Sequence, residues 1–300
     1  MSTRQLVGRL VNPFEREGKW YKANLHTHTT TSDGNVSVVE RIKQYQEKGY
    51  SILALTDHLK TNDVTLLSSE GFLVLSGMET HPLCPGGDPY HLVCLNISHP
   101  FDFPEATDAN ERIALVKKAG GEVIVGHPYW CGHNLNQLLP LAGYIGIEVY
   151  NATCTRIGKG FSSVHWDDLL DVGVVTPAVA SDDVHSGGRD IFMGWTMVKA
   201  QELTPDSIME SLRSGCYYAS CGPIIEDFRL KDNKVGLKCS PVQEIHFICQ
   251  RSNGLSFYAE KGKEITEAEI QLTENIKYVR AEVVDRQGRH AWTNPFIFND

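Results

Sequence analysis

The feature that most constrains this chain is where its imidazoles and carboxylates fall. Short β-branched or apolar runs recur through the first two thirds: "KANLHTH", "SILALTDH", "FLVLSGMET", "HLVCLNIS", "GEVIVGHP", "GIEVYN", "VVTPAVASDD" and "WTMVKA". His26 and His28 close the first, Asp57 and His58 the second, Glu79 the third and His127 the fifth. Glu148 lies near the end of the sixth, and Asp183 and His185 follow the seventh. Amphipathic stretches lie between several of these runs. In "VSVVERIKQYQEKGY" Val36, Val39 and Ile42 recur near helical spacing. In "TPDSIMESLRSG" Thr204 can cap, Pro205 suits the first helical position and Gly215 the stop. Strands alternating with helices predict a parallel sheet. Near-continuous apolar strands predict one covered on both faces, as in a barrel or a doubly wound sheet. In a parallel barrel, residues at the strands' carboxyl ends converge on one rim, where active sites are built. His91 stands at the start of its run. Either it belongs to the preceding loop or that strand runs antiparallel.

Alternate residues of a strand share a face, so the H-x-H of His26 and His28 can grip one cation. The D-x-H of Asp183 and His185 repeats that geometry, and the two oxygens of Glu79 can bridge two cations. Burying so many polar groups at strand ends without a cation would be costly. The balance of 28 basic against 37 acidic residues gives a formal charge of −9, which disfavours long nucleic acid as a ligand. No apolar run approaches the roughly 18 residues of a membrane span, and "MSTRQLVGRLVNPFEREGKW" lacks the order of a secretion signal. The 8 cysteines are scattered without a C-x-x-C pair, which predicts free thiols in a reducing cytoplasm. From about Gly222 the texture changes to antiparallel strands, "EIHFICQ", "LSFYAE" and "KYVRAEVVDRQGRHAWTNPFIF", with "SNG" and "RQG" as turns. The expectation is a domain over 1–222 and a small antiparallel β domain over 223–300.

Taken together and in order, "NLHTHTTTSDG", "ALTDH", "GMET", "GHP" and "SDDVHS" resemble the PHP family, the polymerase and histidinol phosphatase domain. The resemblance covers roughly residues 21–222 and is nearest to the stand-alone metal-dependent phosphoesterases. It implies an α/β fold, a distorted seven-stranded β/α barrel, followed here by a small C-terminal all-β domain. It also implies two to three divalent metal ions. Carried over motif by motif, His26, His28, Glu79 and Asp183 would hold the first ion. Glu79, as a bridge, with His91 and His127 would hold the second, and Asp33, His58 and His185 the third. Asp182 is the reserve for Asp183. The hydroxyl run Thr29 to Ser32 would cap the "SDG" turn that returns Asp33 over the strand end. The amidohydrolase barrel also opens with H-x-H. It lacks the "TDH" and the late D-x-H, and it often uses a bridging modified lysine for which no lysine here is placed.

The activity so implied is hydrolysis of a small phosphomonoester or nucleotide by a metal-activated hydroxide. A metal-binding regulatory module without catalysis and an oligonucleotide exonuclease are the alternatives. Asp57 and His185 are the candidate catalytic residues, Asp57 as an acceptor behind the ligands or a late ligand, His185 as an acid for the leaving group. Arg156, Arg189, His81 and His133 are candidates for substrate contact, the arginines because a guanidinium fork suits phosphate. Nitrogen and oxygen donors fit manganese, iron or zinc. The expected partner is a small phosphorylated substrate, with no membrane.

Overall fold

The computed structural model describes residues 10–104 and 107–298. The first nine residues, part of the segment read above for a secretion signal, lie outside the described residues. No helix among the described residues is long and apolar enough to cross a membrane.

The first two thirds run β1 (Lys19–Asn24), α1 (Val38–Glu47), β2 (Ile52–Leu55), β3 (Leu73–Thr80), β4 (Leu92–Leu95), α2 (Ala109–Lys118) and β5 (Glu122–Val125). They continue with two single-turn helices, α3 (Pro128–Cys131) and α4 (Leu135–Leu138), then β6 (Gly146–Asn151), α5 (Ser163–Asp171), β7 (Ala178–Ser181), β8 (Trp195–Ala200) and α6 (Pro205–Arg213). Strands β1 to β7 lie side by side in chain order, and β8 pairs antiparallel with β1. Between β7 and β8 the ring is joined by a side chain: the Thr196 hydroxyl accepts from the Ala180 amide and donates to its carbonyl. Every residue of β2, β3, β4, β5, β6 and β7 is buried, as a barrel wrapped by helices requires. The helix signals hold locally. Ser37 caps α1 by accepting from the Glu40 amide, and Thr204 caps α6 with Pro205 in its first turn.

The sheet is not uniformly parallel, which corrects the expectation. Strand β4 is antiparallel to both β3 and β5. A parallel neighbour needs a crossover, usually a helix, and the segment from Thr80 to Leu92 carries none. It folds straight back instead. That reversal brings the start of β4, and His91 just before it, to the rim where the other strands end.

The C-terminal part continues the same ladder. β9 (Tyr217–Ser220) pairs with β8 on one side. Three further strands follow in sequence: β10 (Ile225–Lys231), β11 (Lys234–Val242) and β12 (Glu244–Cys249). After them come β13 (Gly254–Tyr258), β14 (Ile265–Gln271), β15 (Tyr278–Val284), β16 (His290–Thr293) and β17 (Phe296–Ile297). On its other side β9 pairs with β16, and the path runs on through β15 and β12 to β13. Strands β10, β11 and β14 form a separate antiparallel sheet. Phe228, Val235, Leu237, Ile245, Phe247, Val279 and Val283 fill the space between the two sheets. Burial alternates along β11 and β12, as expected of strands with one face in a core and one toward solvent. All eight cysteines are buried and free.

Candidate metal centre

Strand β1 ends at Asn24, and the H-x-H lies just beyond it, held by a parallel bridge between Thr27 and Val184. The His28 amide donates to the Val184 carbonyl and the Asp183 amide to that of His26, so the two motifs are laced together. Asp183 takes a left-handed backbone at φ 54°, uncommon for any residue but glycine and eased for aspartate. The kink turns its carboxylate onto the histidines. His26 Nε2 lies 3.2 Å and His28 Nε2 2.9 Å from Asp183 Oδ1. The same two nitrogens lie 3.3 and 3.4 Å from Glu79 Oε2.

These four atoms are buried, and none has a hydrogen-bond partner. Two imidazole nitrogens and two carboxylate oxygens, facing one another about a common point and otherwise unsatisfied, fit a cation. Donors bound at about 2.1 Å in tetrahedral or octahedral array stand about 3.0–3.4 Å apart, the spacing seen here. The other oxygen of Glu79 faces a second group, with His91 Nδ1 at 2.6 Å and His127 Nε2 at 3.3 Å. A third group closes around Asp33, whose Oδ2 lies 3.5 Å from His58 Nε2 and 3.4 Å from His185 Nε2. His28 Nδ1 reaches the other oxygen of Asp33 at 3.7 Å. All nine residues expected to bind metal are thus placed in three adjoining clusters able to hold metal ions. The buried carboxylates suit that use. Burial pushes Asp183 and Glu79 up, but His26 and the neighbouring imidazoles outweigh it and hold both below the usual carboxylate range.

Behind the donors stands Glu148, which the sequence located at a strand end but gave no role. Its Oε1 sits 2.9 Å from His26 Nδ1 and accepts from the Ser181 hydroxyl, and its Oε2 accepts from the His127 amide at 2.9 Å. Fixing Nδ1 of His26 leaves Nε2 as the atom presented to the cluster. No spacing rule would have found this; it follows from β6 lying between β5 and β7.

Asp57 is not brought to the cavity, contrary to a catalytic role. Its carboxylate is fully buried and accepts from Thr29 N and Oγ1, Ser32 N and Oγ, and Asn62 Nδ2, all at 2.7–3.1 Å. It anchors the hydroxyl-rich turn that carries Asp33. Gly34 is obligatory in that turn, since a Cβ there would lie 2.5 Å from the His28 carbonyl. We expect Asp57→Ala to lower stability by roughly 3 kcal/mol, since several donors to a charged acceptor lose their partner at once. Thermal denaturation reads this out; an unchanged midpoint would rule out the anchoring role.

Asp182 likewise belongs to the scaffold. It accepts from Tyr45 Oη, from Asn24 Nδ2 and from the amides of Phe192, Met193 and Gly194. Burial pushes its carboxyl up to about 6 despite these bonds. His81 stands at the edge of the cluster, Nε2 3.8 Å from Glu79 Oε2. His133 does not reach it: the ring bonds the Asp88 carbonyl and packs against Tyr90. Arg156 lines the cavity over the clusters, which encloses about 360 Å³ and is also walled by Trp130, Thr153 and Cys154. Arg189 is exposed and outside that lining. Trp130 stands edge-on to His91 and His127, ring centroids 5.4 and 5.3 Å away.

A barrel rim carrying clustered imidazoles and carboxylates defines a class, and comparison with known proteins agrees. Residues 24–159 match the PHP domain. Across both of its parts it is similar in fold to a two-domain protein from Bacteroides vulgatus ATCC 8482 containing a predicted PHP-like metal-dependent phosphoesterase. Identity there is 17%, coverage 95% of each chain and TM-score 0.53. An amidohydrolase from Chromobacterium violaceum matches at 16% identity, over 56% of this chain and 89% of that one, with TM-score 0.45. A candidate metal-dependent phosphoesterase from Bifidobacterium adolescentis ATCC 15703 matches at 17% identity, over 66% of this chain and 98% of that one, with TM-score 0.42. No curated protein matches the chain.

Proposed function

We propose that this protein is a metal-dependent phosphoesterase acting on a small phosphomonoester or nucleotide. The observation that carries the reading is Glu79: one buried carboxylate whose two oxygens face two different sets of imidazoles. Divalent cations so placed, about 3.5–4 Å apart in two-metal sites generally, activate water at neutral pH and neutralise phosphoryl oxygens as charge develops. Manganese, iron and zinc all suit these nitrogen and oxygen donors.

The chain's own residues supply the rest. His26, His28, Glu79 and Asp183 hold the deepest position; Glu79, His91 and His127 the next; Asp33, His58 and His185 the outermost. His185 Nδ1 is engaged by the Asp183 carbonyl at 2.8 Å, so Nε2 is its cavity-facing atom. Three carboxylates (Asp33, Glu79 and Asp183) line the cavity against one guanidinium, Arg156. An anionic substrate is therefore repelled until cations reverse the sign of the site. A single Arg or Lys in the lining also favours a small ligand over a long polyanion, which needs a basic track. Arg156 at the wall is placed to donate a paired hydrogen bond to a phosphate, and Trp130 to pack against an apolar or aromatic moiety.

The test is to load the purified protein with manganese, iron or zinc, count bound ions by elemental analysis, and screen phosphorylated metabolites, nucleotides and short oligonucleotides for phosphate release. Cation-dependent turnover of a small phosphomonoester is expected. A full cation complement without turnover of any substrate would overturn catalysis and leave a metal-binding module.

A further inference from the structure

Helix α1 contributes an arginine that is completely buried. Arg41 has no exposed surface, yet its donors go to carbonyls and side-chain amides rather than to a carboxylate. Its Nε donates to the His28 carbonyl at 3.2 Å, and its Nη2 to the His185 carbonyl at 3.3 Å. Nη2 also reaches Asn35 Oδ1 at 3.5 Å, and Nη1 donates to Gln44 Oε1 in its own helix at 3.0 Å. The first three partners lie on the three segments that bring His28, Asp33 and His185 together. The loop after His185 passes over the same group, where a Cβ on Gly187 would stand 3.7 Å from Arg41 Nη1.

A buried guanidinium is costly to desolvate, and an apolar side chain of similar size would fill the same space without that cost. Neighbouring buried positions on α1 are apolar or aromatic, Ile42 and Tyr45. The choice of arginine is therefore unexplained by packing. A planar fork with several donors can bond carbonyls from different segments at once, which an ammonium, a compact point charge, does poorly.

We infer that Arg41 is a positioning residue for the outermost cation group, fastening the backbone behind His28 and His185 to the turn that presents Asp33. The inference rests on the metal reading above and extends it to a residue outside the donor set. Of the deeper donors Arg41 touches only the backbone of His28, whereas two of its bonds go to His185 and Asn35 beside the outermost group, so its loss falls first on that group.

The experiment compares wild type with Arg41→Met and Arg41→Lys. Cation binding is followed by manganese titration with elemental analysis, and amide hydrogen exchange is measured on the same proteins without added metal. Expected for Arg41→Met is a 10–100-fold weaker outermost cation, the usual range for loss of an outer partner, with the two deeper ions retained. The amides of His28 and Asn35, which bond the carbonyls of Val184 and His185, should exchange faster while β2 and β3 stay protected. Arg41→Lys should fall between the two, and it carries the test if Arg41→Met does not fold. Unchanged affinity for every ion together with unchanged exchange at these amides would overturn the inference. Wild-type protein that takes up no cation would overturn the metal reading itself, and the exchange comparison would still decide whether Arg41 fastens these segments.

Discussion

Replacing Glu79 by glutamine is expected to empty the two deeper cation positions together and to reduce phosphate release by on the order of 10³-fold. The substitution keeps size and shape, so the effect is electronic. One oxygen of Glu79 faces His26 and His28 and the other faces His91 and His127. An amide offers one weak acceptor and one donor in their place, and no orientation of it serves both sets. The pair of positions thus fails as a unit, whereas loss of His91 would be expected to weaken the second alone. Elemental analysis of Glu79→Gln against wild type checks the count, and phosphate release checks the rate. Retention of the full complement would mean that the bridge is not this carboxylate, and the site would have to be reassigned. Burial pushes the His58 imidazole down, but Glu79 and Asp33 outweigh it and hold it above its ordinary value; without the Glu79 charge the metal-free variant should bind fewer protons near neutral pH.

How much of this was legible in the sequence depended on whether a residue's role is set by local pattern or by what lies across the sheet. Most of the clustered donors were legible because they sit at strand ends, where chemistry narrows histidine and carboxylate to few uses; Asp33, in a turn, and His91, before its strand, were reached only through the family resemblance. The caps at Ser37 and Thr204 were legible for the same reason, since each bonds within its own first turn. Asp57 was not, because a carboxylate beside a histidine reads alike whether it faces the cavity or the five donors of the hydroxyl-rich turn and Asn62. Asp183 was chosen over Asp182 on the argument that it shares a strand face with His185. Asp183 does join the cluster, but through a left-handed kink rather than an extended strand. Other elements carry local signals of the same kind. Asp108 and Glu111 form a capping box at the start of α2, and Asp232 and Asn233, both at positive φ, make the two-residue turn between β10 and β11. The roles of Glu148 and Arg41 are set by segments brought beside them in the fold and could not be read from spacing.

Arg280→Met is expected to destabilise the protein by roughly 3–5 kcal/mol, the range for breaking a buried ion pair from one side. Arg280 lies on β15 with 1% of its surface exposed. Its fork grips both oxygens of Asp167 on α5, at 2.7 and 2.6 Å, while its third nitrogen reaches Glu282 at 3.0 Å. The guanidinium also stands 4.6 Å over the ring of Trp166, so methionine would preserve some packing but none of the charge. Glu282 is held in turn by His290 at 2.7 Å, and the His290 ring stacks on Trp292 and meets Phe161 at the end of the loop that carries Arg156. The joint between barrel and C-terminal sheets therefore carries a buried charge network beside its apolar contacts, and acid should loosen it. Burial raises the carboxyl of Glu282, but His290 and Arg280 outweigh it and hold it at about 2, below an ordinary value of 4.5. A depressed folded value means stability that is complete above about pH 4.5 and lost as pH falls toward 2. Arg280→Met removes one cause of the depression, so the folded value moves back up and less stability remains to be lost on acidification. Thermal melts of wild type and variant at neutral pH and through the acid range should show a large difference that narrows as the carboxylates protonate. A difference that stays constant across that range would show that Arg280 contributes by packing on Trp166 rather than by charge.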